Sequence, residues 1–216
     1  MTIPKRYLAV LRLLAALLTL AAVIATFLSS AERGTVNPFN FFGVFTIQAN
    51  LLAAAALLGA ASLGLLGRRA PAWLDLARAA TTAYLIVVGI VYNTLLTGVS
   101  GGVVLPWANT VLHVVLPIYC LVDWLLVADR GAQPWRRLWL VLIYPVLWTT
   151  VVLLRGATDG WVPYPFLSPV DGYEPVAGYV LLIAVAFVAA GAVVFALSRL
   201  RLISVPESSA AVPRSR

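Results

Sequence analysis

Apolar residues run along this chain in six long stretches, separated by short links where glycine, proline and charge collect. The stretches lie near Leu8–Leu28, Phe41–Leu66, Leu76–Thr97, Leu105–Val127, Leu138–Leu154 and Ala177–Leu200. Each is long enough for a helix to cross a bilayer, which takes about 17–25 residues. None shows the strict alternation of a barrel strand, and backbone in lipid must satisfy its own hydrogen bonds, so helices are the expected form. The pattern predicts an all-α polytopic membrane protein. Six transmembrane helices fill residues 1–203, and residues 204–216 form a polar tail expected to be disordered.

Composition agrees, with 62% of residues hydrophobic and only 11% charged, and a mean hydropathy of +0.97. That excludes a soluble globular class. The net charge of +7 is placed unevenly: of the 15 Lys and Arg residues, only Arg33 and Arg155 fall on one face of the predicted bundle. The positive-inside rule then puts both termini in the cytoplasm and the chain in the cell membrane as a multi-pass protein. The basic excess is read as topology and attraction to anionic headgroups, with no nucleic-acid partner. The first stretch is too long for a signal-peptide core and is kept as a span. Cys120 is the only cysteine, so no intrachain disulfide forms.

Small residues mark the second span (Ala53 to Ala56, Gly59, Gly64) and the sixth (Ala184, Ala186, Ala190, Gly191). Such residues let helices approach closely in lipid, so these two spans are expected at the centre of the bundle, with homodimerisation as the competing use. The link from Arg155 to Val176 is rich in proline, glycine and aromatics, which predicts an ordered, turn-rich cap. Its Trp161, Tyr164, Phe166 and Tyr173 suit either an interfacial belt or a lid.

Polar residues within the spans gather at one depth. From helix rise, Thr46 lies about 8–10 Å below the outer start of the second span, and His113 about 10–12 Å below Pro106. Asn50 and Asn109 sit one turn from these two, and Asn93 reaches a similar level. The inner half reads as almost pure Leu, Val, Ala and Ile apart from Asp123, which is expected beside Trp124 and paired with Arg136 or Arg137. His113, the single histidine, is an ionisable ring at membrane depth and therefore a functional candidate. A hydroxyl needs a base within reach to act as a nucleophile, and neutral imidazole is the natural one near neutral pH. Thr46 and His113 are thus a candidate catalytic pair, with Asn50, Asn93 or Asn109 as oxyanion or substrate-binding donors. One histidine supports neither bis-histidine haem nor a zinc cluster, and no phosphate loop or nucleophile elbow is present, so no cofactor or metal is expected.

Four features together resemble a known family: Phe45-Thr46-Ile47-Gln48-Ala49-Asn50-Leu51-Leu52, His113 to Pro117, Asp123-Trp124, and Tyr164-Pro165-Phe166-Leu167. The chain is similar, over most of residues 8–200, to a bacterial branch of the androgen-induced membrane protein family, which includes the androgen-dependent TFPI-regulating protein. The resemblance implies an intramembrane threonine hydrolase of fatty acid esters of hydroxy fatty acids, with Thr46 as nucleophile and His113 as base. Membrane lipids and a lipid-like substrate are the expected partners. The alternative is a non-catalytic membrane protein that binds a lipid or small molecule in the same pocket, with a small transporter as a third reading.

Overall fold

The computed structural model describes residues 4–96 and 105–203. The expected tail at 204–216 and the end of the third span at Thr97 lie outside them. The helices are α1 (Lys5–Glu32), α2 (Pro38–Gly43), α3 (Phe45–Leu65), α4 (Ala72–Val91), α5 (Pro106–Thr110), α6 (Leu116–Leu126), α7 (Leu140–Thr158) and α8 (Tyr173–Leu197). Among the described residues, six helical segments are long and apolar enough to cross a membrane, which makes this a multi-pass membrane protein. α1 begins and α8 stops at the same end, where Ile203 and Val127 form an isolated bridge. This is called the terminal end below, and the opposite one the cap end.

Helix boundaries follow from local chemistry. Asn37 accepts hydrogen bonds from the N–H groups of Phe39 (2.9 Å) and Asn40 (3.3 Å), and Pro38 supplies a preset first helical residue, so α2 starts there. Val44 is extended, with ψ 129°, and divides the predicted second span into the short α2 and the membrane-crossing α3. The fourth span is broken as well. Pro117 cannot donate to the His113 carbonyl, and its ring would collide with that carbonyl in a regular helix. A π-helical turn over Val111–Val115 joins α5 to α6 and absorbs the defect. A second π turn, Tyr92–Leu96, extends α4 at the same end.

The small residues of α3 do bring helices together. Ala49, Ala53, Ala54, Ala60 and Ala61 are buried, and a β-carbon on Gly64 would lie 3.2 Å from that of Ala9 in α1. α3 is central, as its composition predicts, but α8 is not. The most apolar window of α8 is 28% buried, against 50% for α3 and 44% for α4, so α4 takes the second central place. The small face of α8 instead serves one close contact: a β-carbon on Gly191 would meet Leu138 Cδ1 at 3.0 Å.

This contact can be checked with two glycines of the same helix. Gly191→Leu is expected to overpack the α7–α8 seam and cost about 1–3 kcal/mol. A β-carbon at Gly178 meets nothing within 4 Å, so Gly178→Ala should stabilise by about 0.5–1 kcal/mol through helix propensity. Thermal unfolding in detergent that moved both variants in the same direction would contradict the packing described.

Candidate functional site

At the cap end an apolar cavity of about 250 Å³ lies between α4, α7 and α8, with Phe45 and Thr46 of α3 and Tyr164, Phe166 and Leu167 of the cap closing it. Aromatic rings line it: Phe45 packs edge-on to Trp148 at 5.1 Å and 5.4 Å from Phe187, with Tyr84 and Tyr144 packed against Phe45 outside the lining at 6.0 and 5.8 Å. The cap is ordered by two tight turns, Pro165–Leu167 and Pro169–Asp171, as its composition predicts. Trp148 donates to the Gly43 carbonyl at 2.8 Å, and Tyr144 donates to the Gln48 side chain. Val146 and Thr150 on α7 line the cavity yet are exposed, so it opens sideways, where a bilayer's hydrocarbon would lie.

Thr46 supplies the polar spot on this wall. The Tyr164 hydroxyl accepts from the Thr46 backbone N–H at 3.2 Å and shares a hydrogen bond with Thr46 Oγ1 at 3.3 Å. α3 has no side-chain cap from Val44, so a phenol from a remote segment fills that role. Burial pushes the Tyr164 phenol up from its ordinary range, against its bonds to Thr46, and so keeps it neutral. A neutral phenol can bind and orient, but it is not a base for the threonine.

His113 sits elsewhere. Its Nδ1 lies 3.0 Å from the Asn109 carbonyl, and its ring stacks on Tyr92 with centroids 3.8 Å apart. A carbonyl can only accept, so Nδ1 carries the proton and Nε2 is left as an acceptor. Asn109 donates to the Tyr92 hydroxyl at 2.7 Å, which closes a Tyr92–Asn109–His113 group where the two π turns meet. His113 does not hydrogen-bond to Thr46 and is not among the residues lining the cavity. Asn50, fully buried, links the two groups: it donates to the Thr46 carbonyl at 2.8 Å and to the Leu112 carbonyl at 3.2 Å. Asn93 is exposed and donates back to Gly89 in its own helix at 2.8 Å. The five candidates therefore divide into Thr46 with Asn50, His113 with Asn109, and Asn93 apart.

The densest polar group lies at the terminal end, in the half of the bundle expected to be apolar. Asp123 does not pair with Arg136 or Arg137. It accepts from Arg12 Nε at 3.0 Å and from Arg78 Nη2 at 2.8 Å, all three side chains being buried. Asp129 accepts from Arg12 and also from Arg78 at 3.3 Å, while Asp75 lies 3.7 Å from Arg78. Arg130 is buried beside them, with its guanidinium carbon 4.7 Å over the Trp124 ring. Three guanidinium groups thus face three carboxylates. Arg136 and Arg137 lie in a short turn at the bundle margin, whereas Arg12 and Arg78 project from within helices at the depth of Asp123. The signal for this pairing in the chain is that Arg12 and Arg78 fall inside the first and third apolar stretches and not in the links. Burial alone would raise the Asp129 carboxyl, but Arg78 and Arg12 outweigh it and hold it well below the usual carboxylate range.

Compared with protein-family models, curated proteins and solved structures, the chain finds no match in any of the three.

Removing one carboxylate from a buried pair leaves guanidinium charge uncompensated, so Asp123→Ala should cost about 3–5 kcal/mol, read from thermal unfolding in detergent. Arg136→Ala should cost almost nothing; equal losses would return Asp123 to the marginal arginines. The Asp129 carboxyl is depressed on folding, so its contribution is complete above the unfolded value and lost below it. Stability should hold from neutral pH down to about 5 and fall below about 4. Asp129→Asn should be less stable at neutral pH and show a shallower acid loss.

Proposed function

We propose that this protein binds a lipid-like amphiphile through the lateral cavity at the cap end, its apolar part between α4, α7 and α8 and its polar end at Thr46 and Tyr164. The observation that carries this reading is the cavity itself. It is walled by Phe45, Val88, Val91, Leu142, Ile183 and Phe187, among others, with a hydroxyl and a phenol paired at one side. At about 250 Å³ it exceeds the roughly 150 Å³ of apolar space that holds a benzene ring in an engineered core. Few polar groups in a mostly apolar cleft is the usual composition of a small-molecule site. The positive-inside pattern supports a cell-membrane location, with the terminal end cytoplasmic and the cap end outside.

Hydrolysis of a lipid ester is the second reading, and a specific observation favours it. The Asn109 carbonyl fixes the His113 tautomer with Nε2 as the acceptor, the form a general base needs. Catalysis by Thr46 would then require a rearrangement that brings Nε2 to the hydroxyl in place of Tyr164. The family resemblance supports the same pair.

Two measurements separate the readings. Trp148 lines the cavity, so a doxyl-labelled fatty acid should quench its fluorescence saturably in the purified protein. Ala184→Phe, which fills the cavity, should weaken that binding at least about tenfold, and Tyr164→Phe a few-fold, the scale of one lost hydrogen bond. Quenching that ignored Ala184→Phe would rule out this site. Labelling by a lipid-like fluorophosphonate, abolished by both Thr46→Ala and His113→Ala, would establish the hydrolase instead.

A further inference from the structure

A second cavity, of about 390 Å³, opens at the terminal end between α1, α3, the link before α4 and the loop after α6. Six cationic side chains line it, Lys5, Arg12, Arg68, Arg69, Arg130 and Arg201, against two carboxylates, Asp75 and Asp129. Those acids are already engaged within the buried cluster. Asp129 accepts from Arg12 and Arg78, and Asp75 Oδ2 accepts from the Gly131 N–H at 2.9 Å. Arg68 and Arg201 stand exposed around the opening and bring charge beyond what the buried carboxylates balance.

An independent observation inside the cavity wall points to an anion. Arg12 is 2% exposed. Its Nε and Nη1 donate to Asp123 and Asp129, but its Nη2 has no hydrogen-bond partner. Arg130 Nε, which also lines the cavity, is without one too, and Asp75 Oδ1 accepts no hydrogen bond, its nearest cation being Arg78 Nη1 at 3.7 Å. Buried donors left unmade are costly, and charged ones most of all. The amino end of α4 reaches the cavity at Ala72, after a Pro71 that offers no side-chain cap, and adds backbone N–H groups of the kind that favour anions.

From these features we propose that the cavity binds a protonatable phosphate group, as a monoester or as free phosphate. Its oxygens accept from Arg12 Nη2 and Arg130 Nε, Arg68 and Arg201 attract it at the rim, and a phosphate hydroxyl donates to Asp75 Oδ1. The last contact selects a protonatable phosphate over sulfate, which has no proton to give at neutral pH and would meet the carboxylate oxygen with a bare charge. The phosphate can come from a lipid such as phosphatidic acid or from a free phosphate in the adjoining aqueous phase; the chemistry of recognition is shared.

Cys120 is buried and is the single cysteine, so a thiol-reactive dye reports unfolding of the full-length protein in neutral detergent. The probes are phosphatidic acid, inorganic phosphate, phosphatidylcholine, and sulfate at matched ionic strength. A saturable rise in the unfolding midpoint with phosphatidic acid alone supports the site with lipid as the source. A rise with inorganic phosphate as well supports it with a soluble source. The variant Arg68→Gln/Arg201→Gln changes exposed rim residues and should fold, and it should weaken either effect at least about tenfold, the scale of a lost charge-assisted contact. Arg12→Gln should abolish the effect in whatever fraction folds. No saturable rise with either phosphate probe, an equal rise with sulfate or phosphatidylcholine, or an undiminished rise in the double variant would overturn the proposal.

Discussion

The buried ionic cluster at the terminal end is the constraint on which the arrangement of this bundle rests. A lone charge at the centre of a bilayer costs about 2.5–3.5 kcal/mol even on the mildest scale. Arg12, Arg78 and Asp123 can remain in their helices only by facing one another. That requirement fixes the rotation and the height of α1, α4 and α6 together. Apolar packing in lipid has no such directionality, since a leucine gains little by exchanging a lipid neighbour for a protein one. Trp124 extends the lock to α8: its indole N–H donates to the Val194 carbonyl at 2.8 Å, beneath the guanidinium groups of Arg78 and Arg130. Replacing the whole cluster by apolar groups could leave stability unchanged, as buried ion pairs often allow. Its contribution lies in specifying one register among many.

At the cap end the same task falls to backbone defects. Val44 interrupts the second span, and in the π turn Pro117 offers no N–H to the Leu112 carbonyl five residues before it. Each defect is answered from another element. Tyr164 caps α3 across a sequence separation of 118 residues, and Asn50 spans 62 residues to reach Leu112. The cap is therefore held to the bundle by directional bonds and not only by an aromatic preference for the interface. The cavity exists because these bonds hold Phe45, Trp148 and Tyr164 around it.

Six spans and an ordered cap were legible in the chain because apolar length, proline and glycine are local signals. Depth was legible too: Thr46, Asn50, Asn109 and His113 do belong to one end of the bundle. Azimuth was not. Extrapolating a 3.6-residue period from Pro106 to His113 ignores the π turn, which inserts a residue and changes the helix phase. The partner of Thr46, Tyr164, lies in a link whose path no periodicity describes. Asp123 presents the same difficulty in another form. Arg136 and Arg137 are near it in sequence, but the rotation of α1 and α4 brings Arg12 and Arg78 to it instead.

The two cavities are separated by tightly packed apolar side chains, among them Ala53, Leu85, Leu116 and Val194. That packing argues for two separate sites and against a single path through the bundle. One element serves both. α4 carries Asp75 and Arg78 at the terminal end, then Val87, Val88 and Val91 on the wall of the cap-end cavity, and passes into the π turn that stacks Tyr92 on His113. A helix pinned by charge at one end and by a ring stack at the other has little freedom to slide. The charged cluster thus sets the height at which α4 presents its apolar wall, and the electrostatics of one end determine the shape of the pocket at the other.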